Sequence, residues 1–362
     1  MPAPHIEIDE TACVRAILLQ ASCTDCQKAC PVEAIDLTAR APVIDRAACT
    51  LCEACVGVCP ETVFARPTPI SAAQGGAQGA AQGATQGREH FIACQCHPCV
   101  TASDPAALRC IHSIGLADLA QMWLDGMRRL LVATDSCAAC AAAPTVWIEA
   151  TVADFNRLAH SRDLEGIELL SASHRMVEDR QKAQGRPDAS RRRFLRALVP
   201  PPTPQTEAKQ TEAKPADALQ QFLAQGPQPA LANSLYPFAP QIDPAACVAC
   251  DDCVNICPHG ALTLIKAKGA KSLYHCAPEC CTGCGLCCDI CDQHAVEVFN
   301  MGTRGADLLL ERFQCRACGV QSHNNHSSNH SNHSSHAQFP TDGLCRICQQ
   351  TGHHKNLYVV LD

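Results

Sequence analysis

The sequence predicts an α+β multidomain chain in which two small cysteine-rich modules flank an α/β domain, with a metal-binding tail at the end. Three observations predict it. The string "CTLCEACVGVCP" at residues 49–60 returns nearly unchanged as "CVACDDCVNICP" at 247–258, so one cysteine design occurs in both halves. Between them a stretch alternates strand and helix patterns, and near the end two C-x2-C pairs flank a low-complexity run.

Composition sets the class. The chain has 29 Cys in 362 residues, far above ordinary usage, and an odd number cannot be paired fully into disulfides, so metal is the better reading. The start, "MPAPHIEIDETAC", shows no basic region followed by an apolar stretch and a small-residue cleavage site. The expected compartment is therefore the reducing cytoplasm. The longest apolar helix pattern, "IGLADLAQMWLDGMRRLLVA", carries Asp118, Asp125, Arg128 and Arg129 and is not expected to span a membrane. The formal net charge is -7, and thiolate-held clusters would make it more negative, so nucleic acid is not an expected partner.

Composition shifts divide the chain into a first module at 1–68, a flexible Ala/Gln/Gly linker at 69–88, and an α/β cysteine-rich domain at 89–182. A basic helix and a Pro/Gln-rich linker follow at 183–236, of which 199–230 is too poor in large apolar residues for an expected core. The second module occupies 237–300 and the tail 301–362.

In the first module, Cys49, Cys52 and Cys55 stand at three-residue steps, suited to wrapping one loop round a compact cluster, while Cys59 points to a neighbouring one. Pro60 helps turn the chain away. Upstream, "CTDCQKACPVEAI" supplies Cys23, Cys26 and Cys30 with Pro31, and Cys13 lies ahead of Cys23 beyond the spacer "VRAILLQAS". These spacings make 1–68 resemble a bacterial two-cluster ferredoxin with an insertion after its first ligand. The resemblance implies one [4Fe-4S] cluster on Cys13, Cys23, Cys26 and Cys59, and another on Cys49, Cys52, Cys55 and Cys30. The spacer is expected to be a short helix that packs through Ile17, Leu18 and Leu19.

The second module repeats the design with Cys247, Cys250, Cys253 and Cys257-Pro258, then "CTGCGLCCDICD", which holds Cys281, Cys284, Cys287 and Cys291. It too resembles a ferredoxin module, which implies crossed ligation by Cys247, Cys250, Cys253 and Cys291, and by Cys281, Cys284, Cys287 and Cys257. Asp292 stands where the family has Pro and is expected to weaken the turn after Cys291. Cys276, Cys280 and Cys288 are left over, as packing thiols or alternative ligands. Zinc is the competing metal, but successive x2 steps closing on C-P favour a larger iron-sulfur body. The strings "IEIDETAC", "APVIDRAAC" and "PQIDPAAC" match one another as entering strands that end in an Asp turn.

In the α/β stretch, "HFIACQCHPC" reads as a strand leading to Cys94, Cys96 and Cys99. Cys110 follows, then a helix on which Leu116, Leu119, Ala120, Trp123, Leu124 and Met127 recur, then the strand "RRLLVAT" leading to Cys137 and Cys140. This βαβ pattern with thiols at strand ends resembles the small iron-sulfur delta subunit of methyl-viologen-reducing hydrogenases. The resemblance implies a [2Fe-2S] cluster on Cys94, Cys96, Cys99, Cys110, Cys137 and Cys140. Zinc, or simply reduced thiols, is the alternative.

The tail pairs "CRAC" (Cys315, Cys318) with "CRIC" (Cys345, Cys348) across a His-rich run. Two such knuckles make a four-sulfur site that suits zinc, as in a zinc ribbon, or a single rubredoxin-like iron. His323, His326, His330, His333 and His336 are read as a solvated loop. The string "SRRRFLR" at 190–196 looks like a twin-arginine signal, yet it lies mid-chain with no apolar region after it and reads as a basic helix. No phosphate-binding glycine loop appears.

Together these features predict an iron-sulfur electron carrier with up to four [4Fe-4S] clusters, non-catalytic or an accessory subunit. It resembles the polyferredoxins that accompany formate dehydrogenases or hydrogenases, which implies such enzymes as redox partners. The alternative is a redox-responsive or assembly protein for an anaerobic metalloenzyme.

Overall fold

Three matching strings fold into one matching turn. In the computed structural model, which describes residues 6–66, 89–98, 100, 107–137, 140, 147–184, 215–227, 233–266, 271–325 and 343–351, Asp9, Asp45 and Asp243 each end a strand. Each Asp carboxylate accepts the backbone N–H two residues on, at 3.0 Å from Thr11, 2.8 Å from Ala47 and 2.8 Å from Ala245. Each Asp N–H in turn donates at 2.8 Å to a carbonyl of the facing segment, that of Val63, Ala34 or Ala295. An Asp at this place mimics a backbone turn and aims the chain into the cysteine loop.

The chain divides into two units. The first comprises Met1–Ala12, Thr24–His160 and Leu164–Gln225. Its cysteine-rich part has two small antiparallel pairs, β1 (Glu7–Ile8) with β4 (Phe64–Ala65) and β2 (Ile35–Asp36) with β3 (Val43–Ile44). Its α/β part is a parallel sheet of β5 (Glu89–Cys94), β6 (Ala107–Leu108), β7 (Arg129–Ala133) and β8 (Glu168–Ser171), in the order β6-β5-β7-β8. The expected helix runs over Leu116–Leu124 and buries Leu119, Ala120 and Trp123.

The stretch 199–230, expected to form no core, is not wholly without one. Residues Pro215–Leu223 form a helix that buries Ala218, Phe222 and Leu223, at helical spacing on one face. Phe222 sits 5.2 Å from the Trp123 ring and 4.5 Å from the Phe155 ring, centroid to centroid. Few large apolar residues suffice here, because one aromatic fills a gap between two others. The basic stretch at 190–196 lies outside the described residues.

Within this unit the two parts meet at glycines. A Cβ on Gly57 would lie 2.3 Å from the Ser113 carbonyl oxygen, and one on Gly115 would lie 2.6 Å from the Gly57 oxygen. Arg66 fastens the contact, donating to Asp118 at 3.0 Å and to the Ser113 carbonyl at 2.9 Å.

The second unit comprises Cys13–Cys23, Ser161–Asp163 and Gly226–Asp362. Here β9 (Leu235–Ile242) pairs with β12 (Val296–Thr303), and β10 (Leu262–Lys266), β11 (Lys271–Cys276), β13 (Leu308–Gln314) and β14 (Gln321–Asn324) form a four-stranded antiparallel sheet. Tyr274, Cys276, Leu262 and Leu310 are buried in one core. The spacer helix forms at Val14–Ile17, but its packing differs from expectation. Ile17 and Leu19 are 48% and 68% exposed, and Val14 and Ala21 are buried with Leu286, with Leu18 packed against them. The helix ends after one turn, and Val14, Leu18 and Ala21 share one neighbour while Ile17 and Leu19 look outward. Among the described residues, no helix is long and apolar enough to cross a membrane.

Candidate metal centres

Three hollows are each walled by four cysteines. Cys49, Cys52 and Cys55 meet Cys30 around one, Cys247, Cys250 and Cys253 meet Cys291 around another, and Cys281, Cys284 and Cys287 meet Cys257 around the third. Three thiols come from one loop and the fourth from the C-P turn of the companion motif, or its Cys291-Asp292 equivalent.

The loops share an unusual backbone. Both residues flanking the second cysteine have positive φ in every case: Leu51 at 57° and Glu53 at 62°, Ala249 at 54° and Asp251 at 67°, Gly283 and Gly285 each at 77°. Four of these six are not glycine, and a left-handed L-residue costs about 1–2 kcal/mol. Such strain persists where the surroundings over-determine it, often at functional sites. It curls the chain so that three sulfurs face one centre. At Gly283 there is a further reason for glycine, since a Cβ would lie 2.5 Å from the Phe238 ring.

The closing turns repeat as well. Three residues after Cys30, Cys59, Cys257 and Cys291 stand Glu33, Thr62, Gly260 and His294, with φ of 50°, 54°, 68° and 50°. The turn after Cys291 keeps the same hydrogen bonds with Asp292 in proline's place. Ala295 N–H donates to the Cys291 sulfur at 3.3 Å, as Ala34 N–H does to Cys30 at 3.2 Å beside Pro31. The His294-to-Cys291 backbone bond of 2.9 Å holds the turn without proline's fixed φ.

Residues 239–262 match the family model of a 4Fe-4S binding domain. That span runs from the end of β9 through the Asp243 turn, the loop of Cys247, Cys250 and Cys253, and the Cys257-Pro258 turn into β10. No curated protein matches the chain.

Around the 4Fe-4S motif the thiols resist ionisation on their own. Burial pushes Cys253 up to about 12, and the charges of Cys247, Cys250 and Cys291 add to it. Burial does the same to Cys281, also to about 12, with Cys284 and Cys257 adding. Cys55 is raised further still by burial and by Cys52, Cys49, Cys26 and Cys30. Four such thiols become thiolates together only against a compensating cation. Backbone N–H groups lean the other way: those of Ala54, Ala249, Asp252 and Gly283 bond the sulfurs of Cys52, Cys247, Cys250 and Cys281. The donor set is soft, at least partly buried and four-fold, which fits an iron-sulfur cluster.

The remaining sequence candidates divide. Cys13 is buried and lies with Cys23 in the second unit, while Cys26 and Cys59 lie in the first. The Cys23–Cys26 step lacks the curled backbone of the other loops: Thr24 has φ −136° and Asp25 begins a helix. Cys276 is fully buried, with its sulfur 3.9 Å from the Ala306 carbonyl, as a packing thiol would be. Cys288 bonds the neighbouring thiol of Cys287.

The α/β part gathers its own thiols at the carboxyl edge of the sheet. Cys94 hydrogen-bonds with Cys110, Cys137 and Cys96, and Cys96 also with Cys140. Sharing with Cys94 draws the Cys96 thiol down to about 6. Ile111 N–H donates to the Cys94 sulfur at 3.1 Å. Cys99 lies outside the described residues. Burial first, then the charges of Cys110 and Cys30, raise the Cys52 thiol, so Cys110 lies within electrostatic reach of that hollow.

In the tail, the ligand atoms of Cys315, Cys318, Cys345 and Cys348 all lie within 4.8 Å of one another. Gly319 and Gly343, at φ 72° and 70°, turn the chain after one knuckle and before the other. Burial of Cys315 is outweighed by N–H groups of Cys318, Cys345 and Ala317, which bring its thiol to about 6. His323 is not in a solvated loop: it sits in β14, buried, with Nδ1 3.2 Å from Asp251. The half-buried Asp251 carboxylate, which also accepts from Tyr274, gives that histidine a partner. His326, His330, His333 and His336 lie outside the described residues.

Proposed function

We propose that this chain is an electron carrier whose three four-cysteine hollows each hold a [4Fe-4S] cluster. The observation that supports it best is the threefold recurrence of one curled loop plus one companion turn, within a chain that carries a 4Fe-4S binding domain. Bound there, such a cluster supplies a one-electron change of oxidation state with little movement of the protein.

The chain's own residues then do three things. The twelve cysteines of the hollows would hold the clusters as crossed ligands, three from one loop and the fourth from the companion turn. The N–H groups on their sulfurs stabilise added negative charge and raise the potential, while Asp251, Asp252 and Asp289 oppose it. Arg66, Gly57 and Gly115 hold the hollow of Cys52 against the Cys110 turn, which would place a cluster in that hollow next to one held by Cys94, Cys96, Cys110 and Cys137. We assign a [2Fe-2S] centre to that group and zinc to the tail. The partners are redox proteins of the dehydrogenase or hydrogenase kind, as the polyferredoxin resemblance implies.

A potentiometric titration of anaerobically loaded protein, followed by electron paramagnetic resonance, tests the reading. Reduced cubane signals should appear, and Cys52→Ser should remove or convert one of them while leaving the rest. A loaded protein that takes up no electron over the titration range would overturn it.

A further inference from the structure

A cluster of nitrogen and oxygen donors stands beside the sulfur chemistry. His97, Asp135 and His174 place one ligand atom each within 4.8 Å of the others. His97 Nε2 is 3.2 Å from the Asp135 carboxylate, and the two imidazole rings are 5.2 Å apart, centroid to centroid. The His97 side chain is fully buried, whereas Asp135 and His174 are exposed.

The backbone fixes all three. They follow β5, β7 and β8, neighbouring parallel strands whose pairing of Ala93 with Ala133 and of Val132 with Ser171 brings their carboxyl ends level. His97 is held in a turn by its own N–H to the Cys94 carbonyl at 3.1 Å and by Val100 N–H to its carbonyl at 2.9 Å. The Asp135 turn closes with Cys137 N–H on the Thr134 carbonyl at 3.0 Å. His174 opens the helix His174–Gln184, with Val177 N–H on the Ser173 carbonyl at 3.1 Å. The carboxyl edge of an open parallel sheet is where such folds bind ligands.

We propose that His97, Asp135 and His174 form a mononuclear site for a divalent transition ion of the zinc class, distinct in its donors from the neighbouring thiol group. Two imidazoles and a carboxylate are borderline donors that suit such ions, and three protein ligands leave a coordination position open to solvent. The buried His97 anchors the ion, and the exposed pair lets it enter and exchange.

The test uses the full chain with its cysteine sites loaded anaerobically, incubated with Zn2+ and desalted, alongside His174→Ala and Asp135→Asn. Both substitutions are at exposed side chains, and unchanged iron content shows that the fold and the thiol sites persist. The parent should retain about one zinc more per chain than either variant. Zinc X-ray absorption of the parent should show that extra ion in a nitrogen and oxygen shell with imidazole scattering. Equal zinc in parent and both variants, or an extra ion ligated by sulfur alone, would overturn the proposal and leave a plain His–Asp contact.

Discussion

Replacing Gly57 by alanine tests the contact that joins the first cysteine-rich part to the α/β part. Gly57 lies inside the helix Ala54–Val58, where helix propensity alone makes alanine better than glycine by about 1 kcal/mol. The structure predicts the opposite sign. The new Cβ would lie 2.3 Å from the Ser113 oxygen and 2.9 Å from its carbonyl carbon. Both are backbone atoms that cannot swing aside, so the upper part of the overpacking range applies, about 3 kcal/mol, leaving a net loss of about 2 kcal/mol. Hydrogen exchange read on peptides spanning Cys110 to Leu124 should then accelerate roughly 30-fold. Gly115→Ala strikes the same approach from the other side, 2.6 Å from the Gly57 oxygen, so the double variant should cost less than the sum. Unchanged or slower exchange in Gly57→Ala would refute the reasoning.

The metal-free protein should lose stability as pH rises. The folded thiol of Cys253 is raised from 9.0 to about 12, so its contribution is complete below pH 9 and is lost as pH climbs towards 12; the shift corresponds to about 4 kcal/mol. Alkaline unfolding under reducing conditions should therefore be steep without clusters and shallow with them, because ligated cysteines are already thiolates. Deleting residues 326–336 while keeping His323 should leave tightly held zinc in the tail unchanged, since loop closure depends weakly on length, whereas Cys348→Ala should remove it. Cys276→Ala should cost about 1–2 kcal/mol of stability in a denaturant titration, with iron content unaltered, as befits a buried packing thiol.

Cysteine spacing made the hollows legible, because three-residue steps and a terminal Cys-Pro are local signals. What spacing could not show is the backbone that realises them. Leu51, Glu53, Ala249 and Asp251 take left-handed conformations that nothing in their side chains favours, and the loop imposes them. At Asp292 the same turn forms without proline, closed by the backbone bond from His294 to Cys291. The helix at Pro215–Leu223 was hidden by its polar, proline-rich flanks, though Ala218, Phe222 and Leu223 were a faint signal. By composition His323 belongs to the low-complexity run, and the pairing of β13 with β14 is what gives it a partner in Asp251. His97, Asp135 and His174 are far apart in sequence, and no spacing rule joins residues that meet only through a parallel sheet.

The most direct test of the central claim is iron and acid-labile sulfide measured together on anaerobically reconstituted protein, with Mössbauer spectra of the parent and of Cys52→Ser, Cys253→Ser and Cys284→Ser. The account predicts equal iron and sulfide, cubane spectra, and in each variant the loss or conversion of about four irons' worth of signal from one hollow. Zinc without sulfide in these hollows, or iron unmoved by all three substitutions, would contradict it.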